Sequence, residues 1–488
     1  MQEKQKLLSF FRMGFMLASV EVASFLAWQM PSIAWFCFVY VLLRVAYASY
    51  KDLRVGVAVV AVELIISSQG YMFAVSVGGF HASIRLGLFL VLIVMAAVHA
   101  LRTRSIVLLR MPWFRWYVGV LCVIAYGVCV AVARHYSLSG IFFDVNAWLF
   151  LGLAFPLTQA LRTREDLRYM LKPIIFALWW LFGKTLIIAI IFSHPLATQP
   201  VSTIAYLWLR DTRIAEIFRF PSGFARVFLQ SHIYALVAMG VLYIRLLMRK
   251  ESLRPYRALF FAMIFTVLLS YSRTFWLMGG CVLAVVTIVL CIQRRAEWRR
   301  LFSRILLTLW YTALAIVCIV VMVRIPLPRD TAMSGSLFSE RVTSVHTEAA
   351  AMTRLQEFGP LFRAITQHPL IGAGFGATVT YTSADPRIMA SHADGVYTTS
   401  AFEFGYLDLW LKVGGVGVLY ITVALLFLVY VCVRWYYAHN DLGALVCGVA
   451  ILLVMSVHAL TPYINHPLGL GILLGALVYI SIPFNRHI

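Results

Sequence analysis

The chain has 488 residues, of which 62% are hydrophobic and 12% are charged, and its mean hydropathy is +0.87. Soluble domains carry about 45–50% apolar and about 25% charged residues. The composition therefore excludes a soluble globular enzyme, a disordered chain and a secreted disulfide scaffold. The cysteines all lie inside apolar runs, where a thiol packs as a small hydrophobic side chain. We expect an all-α polytopic membrane protein.

Apolar runs of helical length occur along the whole chain and predict about 12–14 transmembrane helices. The first run follows residues 1–6 without a small-residue cleavage site, so we interpret it as a retained span and not as a signal peptide. The predicted runs lie at about 11–29, 32–49, 55–79, 85–101, 116–134, 143–160, 173–193, 228–245, 257–271, 274–292, 305–323, 406–433, 443–460 and 466–483.

Basic residues cluster in alternate loops and predict the orientation of the chain. Clusters of Arg and Lys at 102–115, 162–172, 245–257 and 294–304 each follow an even-numbered run, so they lie on one side of the membrane. Under the positive-inside rule that side is cytoplasmic, and both termini lie there. Most of the net charge of +21 then faces the anionic inner leaflet, so no nucleic-acid partner is expected.

The alternating loops divide the chain into four predicted regions. Residues 1–193 form the N-terminal transmembrane helices, and 194–323 contain an outer arginine-rich loop followed by the central helices. Residues 324–405 form one large outer loop with helical stretches, and 406–488 form the C-terminal transmembrane helices. Irregular polar chain beside a membrane commonly carries function, so we expect the site on the outer face.

Arg273 is the most informative single residue. It lies in the turn Leu269–Trp276, between two apolar runs whose other ends are basic, so we expect it at the outer membrane interface. The structural alternative is an arginine that snorkels, but a lone basic residue on the outer side opposes the positive-inside trend. Lys184 lies within the seventh run, and an intramembrane lysine is by default a functional-site candidate.

The outer loop before the eighth run also concentrates arginines, among them Arg219 and Arg226. Several guanidinium groups near one interface suit a diphosphate, because each can bind phosphate oxygens bidentately and keeps its charge. The alternative is a set of salt bridges with Asp211 and Glu216 in the same loop.

The large outer loop carries Arg341, Arg354, His392 and, at its end, Glu403. Glu403 precedes the twelfth run, where its carboxylate either caps a helix N-terminus or is available as a base. The glycines of 368–376 let the chain turn tightly or approach a ligand, but no strand precedes them, so the dinucleotide-binding fingerprint does not apply.

Three short motifs follow one another in the second half of the chain. Ser272-Arg273-x-x-Trp comes first. Arg354 then precedes His368-Pro-Leu-Ile-Gly-Ala-Gly-Phe-Gly, with Glu403 and Lys-Val-Gly414 after it. In order and spacing these motifs resemble the C-terminal region of the O-antigen ligase and polysaccharide polymerase superfamily. The resemblance covers about 210–435 by motif and the whole chain by topology.

The resemblance implies a GT-C-like integral-membrane glycosyltransferase that needs no metal or other cofactor. Such enzymes take glycan from a polyprenyl (undecaprenyl) diphosphate on the periplasmic face of the cell inner membrane. Ligases pass O-antigen to the lipid A-core of lipopolysaccharide, whereas polymerases pass O-antigen or exopolysaccharide units to the next lipid-linked repeat unit. The implied partners are this lipid-linked oligosaccharide, membrane lipids, a chain-length regulator and a flippase.

The family's catalytic roles can be carried over onto residues of this sequence. In the family, arginines bind the diphosphate leaving group, and a base at the end of the loop deprotonates the acceptor hydroxyl. The resemblance assigns diphosphate binding to Arg273, to Arg219 or Arg226, and less directly to Arg341 and Arg354.

One departure from the family pattern bears on the reaction. Ligases have His-Asn eleven residues before the glycine that Gly414 matches, whereas this chain has Glu403-Phe there. A carboxylate can accept a proton as an imidazole does, so Glu403 is the expected base, with His392 as the alternative. The departure favours a polymerase over a ligase, and a single displacement predicts inversion at the anomeric carbon.

A transporter of lipid-linked oligosaccharide is the alternative from a different class. It would explain the many spans, and Glu63, Lys184 and Arg44 within apolar runs would then line a pathway. The two halves of the sequence show no internal repeat and no matching pair of Gly/Pro-broken spans, which are typical of many carriers.

Overall fold

The computed structural model describes residues 2–78, 80–194, 199–220, 224–248, 256–324, 349–390, 392 and 394–482. Across these ranges the regular structure is helical except for three two-stranded antiparallel hairpins, which confirms the all-α class. The α-helices are α1 (Gln2–Gln29), α2 (Pro31–Lys51), α3 (Leu53–Ile66), α4 (Ile84–Thr103), α5 (Phe114–Ala133), α6 (Leu138–Val145), α7 (Ala154–Ala160), α8 (Arg164–Ser193), α9 (Gln199–Asp211), α10 (His232–Met248), α11 (Arg257–Leu269), α12 (Arg273–Gln293), α13 (Trp298–Arg324), α14 (Ala349–Gln367), α15 (Pro386–Met389), α16 (Gly405–His439), α17 (Leu442–His458) and α18 (Pro467–Ser481). The hairpin strands are β1 (Ala74–Val77) with β2 (Phe80–Ser83), β3 (Glu216–Arg219) with β4 (Ala225–Phe228), and β5 (Val379–Thr382) with β6 (Val396–Thr399).

Seven of the described helical segments are long and apolar enough to cross a membrane, or eight if the bent pair Leu138–Val145 and Trp148–Ala160 forms one span. Those seven are α2, α4, α5, α8, α12, Arg295–Arg324 and α16. The apolar helices α10, α11, α17 and α18 are shorter, at 17, 13, 17 and 15 residues. At a rise of about 1.5 Å per residue they extend about 20–26 Å, less than the roughly 30 Å hydrocarbon core.

Two of the predicted runs fold differently from a single continuous helix. The run 55–79 contains α3, which ends at Ile66, and the chain then turns into the β1–β2 hairpin. Ser68 and Gly70 adopt positive φ in that turn (57° and 88°), which stops the helix. The run 143–160 is divided among α6, the 3₁₀ segment Trp148–Leu153 and α7.

The chain forms two compact units. The first comprises the described parts of Met1–Leu108, Gly152–Met333 and Val478–Ile488. Within it α3 packs against α2 and α8, and α11 packs against α10 and α13. The second comprises the described parts of Leu109–Leu151 and Ser334–Leu477. Within it α16 packs against α5 and α17, and α14 packs against α16 and β5.

Helix α16 is broken inside the second unit. Gly414 has φ 73° and ψ 171°, which interrupts the helical hydrogen bonds. The preceding loop supplies the missing partners: the N–H of Gly415 donates to the carbonyl of Pro369 at 2.8 Å, and the N–H of Ala373 donates to the carbonyl of Leu411 at 2.6 Å. A broken helix at membrane depth is tolerated only when its backbone is satisfied in this way.

The glycine-rich loop packs against this break. Gly372, Gly374 and Gly376 have φ of 77°, 93° and 85°, values that favour glycine. A Cβ on Gly372 would lie 2.5 Å from the amide nitrogen of Gly414, so the two backbones touch. Of the two uses predicted for these glycines, a tight turn and a close approach to a ligand, the structure shows the tight turn, and the close approach that it shows is to backbone.

Candidate functional site

Helix α14 places a row of side chains toward the interior of the second unit. Thr353, Glu357, Leu361 and Ile365 follow at intervals of four residues and are all buried. Leu361 and Ile365 belong to a hydrophobic core that also contains Val379, Phe402 and Leu411. The buried face of the helix thus begins with polar residues and ends with apolar ones.

Arg354 and Glu403 meet at the polar end of this helix. The Nε of Arg354 donates to Oε2 of Glu403 in a short ion pair, and the two side chains are 31% and 40% exposed. The N-cap of α16 is Phe404, whose side chain makes no capping hydrogen bond. Of the two predictions for Glu403, capping of α16 does not match this geometry, because the carboxylate pairs with Arg354 instead. Its role as a base stays a prediction.

Glu357 lies beside this pair, and the sequence analysis did not identify it. It is 2% exposed, and its Oε1 accepts a hydrogen bond from the backbone N–H of Glu403 at 3.2 Å. Burial raises the pKa of Glu357 to about 7, and the negative charges of Glu403 and Asp408 act in the same direction. The helical spacing from Leu361 and Ile365 is the signal that could have placed this carboxylate on the buried face.

Aromatic side chains join His392 to the same region. Tyr381 and Tyr397 are opposite each other in the β5–β6 hairpin, and their ring centroids lie 6.0 Å apart in an edge-to-face arrangement. The ring of His392, an exposed residue, lies 5.6 Å from that of Tyr397. Burial raises the pKa of Tyr381 to about 12, with a contribution from the negative charge of Glu357.

A second charged cluster, also missed, lies inside the second unit. The ammonium of Lys412 is 3.0 Å from Oδ1 of Asp144 and 2.7 Å from Oδ1 of Asp408. Asn465 donates to the other oxygen of Asp408 at 2.8 Å, and the N–H of Gly376 donates to Asp144 at 2.7 Å. Asp408 and Lys412 lie four residues apart in an apolar run. This pair was the sequence signal that could have identified the cluster, because ionisable residues are rare in membrane segments.

The predicted arginine site falls in the first unit. The Nε of Arg226, on β4, donates to the carbonyl of Ser270 at 3.2 Å, and its guanidinium lies 5.1 Å from the ring centre of Phe228. Ser272 is the N-cap of α12, and the half-buried Arg273 is its first residue. The side chain of Arg226 therefore reaches the turn that carries Arg273.

Two further predicted arginines lie partly or wholly outside the described residues. The backbone of Arg219 lies at the end of β3, opposite Ala225, but its side chain lies outside the described residues. Arg341 lies outside the described residues altogether.

Lys184 has an internal partner. Its ammonium is 2.5 Å from Oε1 of Glu21 and 3.0 Å from the carbonyl of Ile66. Glu63 similarly pairs with Arg85, at 3.0 Å. Two of the charges offered for a transport pathway thus form buried ion pairs.

The two groups of candidates belong to different units. Arg226, Arg273 and Lys184 lie in the first unit, whereas Arg354, His392 and Glu403 lie in the second.

In the described parts of the chain, no group of three or more His, Cys, Asp or Glu side chains is arranged to hold a metal ion.

Comparison with known families agrees with the motifs. Residues 258–422 match the sequence model of a family described as O-antigen ligase. A search of curated proteins finds no match for the chain. The matched segment contains Arg273, Arg354, His392 and Glu403, and it confirms the predicted resemblance to the O-antigen ligase and polymerase superfamily. The candidate spans describe a multi-pass membrane protein, and the part of the chain from 258 to 422 is similar to the O-antigen ligase family.

Proposed function

On the premise of this family match, we propose that the protein is a repeat-unit polymerase of the cell inner membrane. It transfers glycan from an undecaprenyl diphosphate donor to the non-reducing end of another lipid-linked repeat unit on the periplasmic face. The observation that carries the proposal is the carboxylate of Glu403, which stands where ligases have histidine and is held by Arg354.

The proposed reaction is a single displacement at the anomeric carbon. Glu403 takes the proton of the acceptor hydroxyl, and the new glycosidic bond forms as the bond to the diphosphate breaks on the opposite face, which inverts the configuration. Arg273 and Arg226 stabilise the negative charge that develops on the departing diphosphate. Arg219 and Arg341 remain further candidates for diphosphate binding.

In this scheme Arg354 can pair with either of two anions, the carboxylate of Glu403 or the diphosphate of the donor. Its guanidinium pairs with Glu403 in the structure, and the resemblance also assigns it to the diphosphate. A donor phosphate that draws Arg354 away would release the carboxylate of Glu403 as a base. Diphosphate binding and activation of the acceptor would then be coupled through one side chain.

The experiment uses the full chain, purified and reconstituted in lipid nanodiscs with a polyprenyl-diphosphate-linked repeat unit. We expect a ladder of lengthened glycans that disappears in Glu403→Gln, because the amide cannot accept the proton. Asp394→Asn is the matched control: Asp394 is exposed and its carboxylate accepts the N–H of Val396 at 3.1 Å, so the ladder should persist.

Two other outcomes would replace the polymerase. Glycan transfer only after addition of lipid A-core would establish a ligase, which the family description and the exposed His392 favour as second candidate. Neither product, after several repeat units are tried, would favour a lipid-linked oligosaccharide transporter.

A further inference from the structure

A buried carboxylate adjoins the proposed base and is not among the residues on which the resemblance rests. Glu357 occupies the buried stripe of α14, four residues before Leu361, where a leucine-like side chain would be expected from the helical period. A carboxyl group in such a position is unfavourable unless hydrogen bonds compensate for the lost hydration. Its presence at this place in the helix therefore calls for a physical reason.

The neighbours of Glu357 supply that reason. On its own helix Arg354 lies three residues earlier, and across from it stand Glu403, Asp408 of α16 and Tyr381 of β5. The hydrogen bond from the backbone N–H of Glu403 to Oε1, at 3.2 Å, fixes the residue that carries the proposed base.

We propose that Glu357 is a positioning residue for Glu403. Its carboxylate holds the backbone of Glu403 and places a second negative charge beside the Arg354–Glu403 ion pair. When Glu357 is ionised, it competes with Glu403 for the guanidinium of Arg354 and loosens the hold of Arg354 on the carboxylate of Glu403. When Glu357 is protonated, both effects vanish. The inference rests on the proposed function, because it assigns to Glu403 the role of base.

The pKa of Glu357 determines whether the polymerisation rate rises or falls with pH. Because the pKa of Glu357 is raised to about 7, its carboxylate is mostly protonated at pH 6 and mostly ionised at pH 8. Above this range Arg354 therefore holds the carboxylate of Glu403 less tightly, and the polymerisation rate should rise as the pH passes through about 7.

The test compares initial polymerisation rates of the wild type and Glu357→Gln between pH 6 and pH 8.5, in the reconstituted full-length protein. Glutamine retains an oxygen for the N–H of Glu403 but never ionises. We expect a rate ratio, wild type over variant, of about one at pH 6 and about three- to tenfold at pH 8.5, because only the wild type gains the second carboxylate charge as the pH rises. A ratio that stays constant across this range would show a purely structural role and overturn the proposal.

A second variant keeps the test decisive if Glu357→Gln is inactive or fails to fold. Glu357→Asp retains the charge, so it must show the rise in rate with pH even if its overall rate is lower. A pH-independent rate in Glu357→Asp would also overturn the proposal. Asp394→Asn, on the same outer loop, should follow the wild-type profile.

An infrared difference titration separates this inference from the proposed function. A protonated carboxyl band that disappears with a midpoint near pH 7, and that is missing in Glu357→Gln, requires no substrate and no turnover. If this band is present but no polymer forms under any condition, the polymerase assignment fails while the titration of Glu357 stands. If the band is absent from the wild type, the inference fails whatever the enzyme produces.

Discussion

At the scale of single residues, the arginines of the first unit suit a diphosphate by their geometry as well as by their charge. Arg273 begins α12 and Arg226 is anchored to the turn before it by the carbonyl of Ser270. A guanidinium presents a planar set of donors to two phosphate oxygens, whereas the ammonium of lysine acts as a point charge. Diphosphate binding at this turn should therefore be sensitive to a change that conserves charge.

We expect Arg273→Lys to lower the rate of polymer formation by at least about tenfold, because the transition state loses its bidentate contact. The measurement is the initial rate at saturating and at low donor concentration, in the reconstituted protein. Arg299→Lys, an exposed position in the helix after α12, is the control and should retain the wild-type rate. Near-native activity of Arg273→Lys would remove this residue from the diphosphate site.

At the scale of elements, the sequence predicts where helices occur better than how they end. The runs 257–271 and 274–292 correspond closely to α11 and α12, because length and hydropathy decide both. The break of α16 at Gly414 and the end of α3 at Ile66 were not predicted. Each depends on backbone partners or positive φ values supplied by the folded chain, which hydropathy does not report.

The same limit applies to pairs of charges on different elements. Lys184 and Glu21 are separated by 163 residues, and Glu357 contacts Glu403, 46 positions later in the chain. Composition and periodicity identify each residue as unusual, as they did for Lys184, but they do not report which charges meet. For the candidate site, Arg354 and Glu403 were predicted as functional, whereas their direct pairing was not.

The cluster of Lys412 with Asp144 and Asp408 joins α6 to the broken helix α16. We expect Lys412→Met to destabilise the protein by about 3–5 kcal/mol, because both carboxylates would remain buried without their partner. The loss is measured by heating samples to a series of temperatures and determining by size-exclusion chromatography how much folded protein remains. Lys172→Met, at an exposed lysine of α8, should unfold like the wild type.

The combined variant Asp144→Asn/Asp408→Asn/Lys412→Met tests the cause. Removing all three charges leaves no unpaired ion, so it should recover most of the stability lost in Lys412→Met. If Lys412→Met alone unfolds at the wild-type temperature, the cluster does not hold α6 against α16. If the combined variant is less stable than Lys412→Met, the loss arises from packing and not from unpaired charge.

At the scale of the whole molecule, the proposed reaction requires one orientation in the membrane. The basic clusters 102–115, 162–172, 245–257 and 294–304 predict a cytoplasmic location for their loops, and hence a periplasmic location for the segment with Arg354 and Glu403.

We expect green fluorescent protein fused after Ser481 to be fluorescent and alkaline phosphatase fused there to be inactive. Phosphatase fused after Gln367, at the end of α14, should be active. The reverse pattern would put Glu403 on the cytoplasmic side, where a donor presented on the periplasmic face could not reach it, and the polymerase assignment would then fail together with the predicted topology.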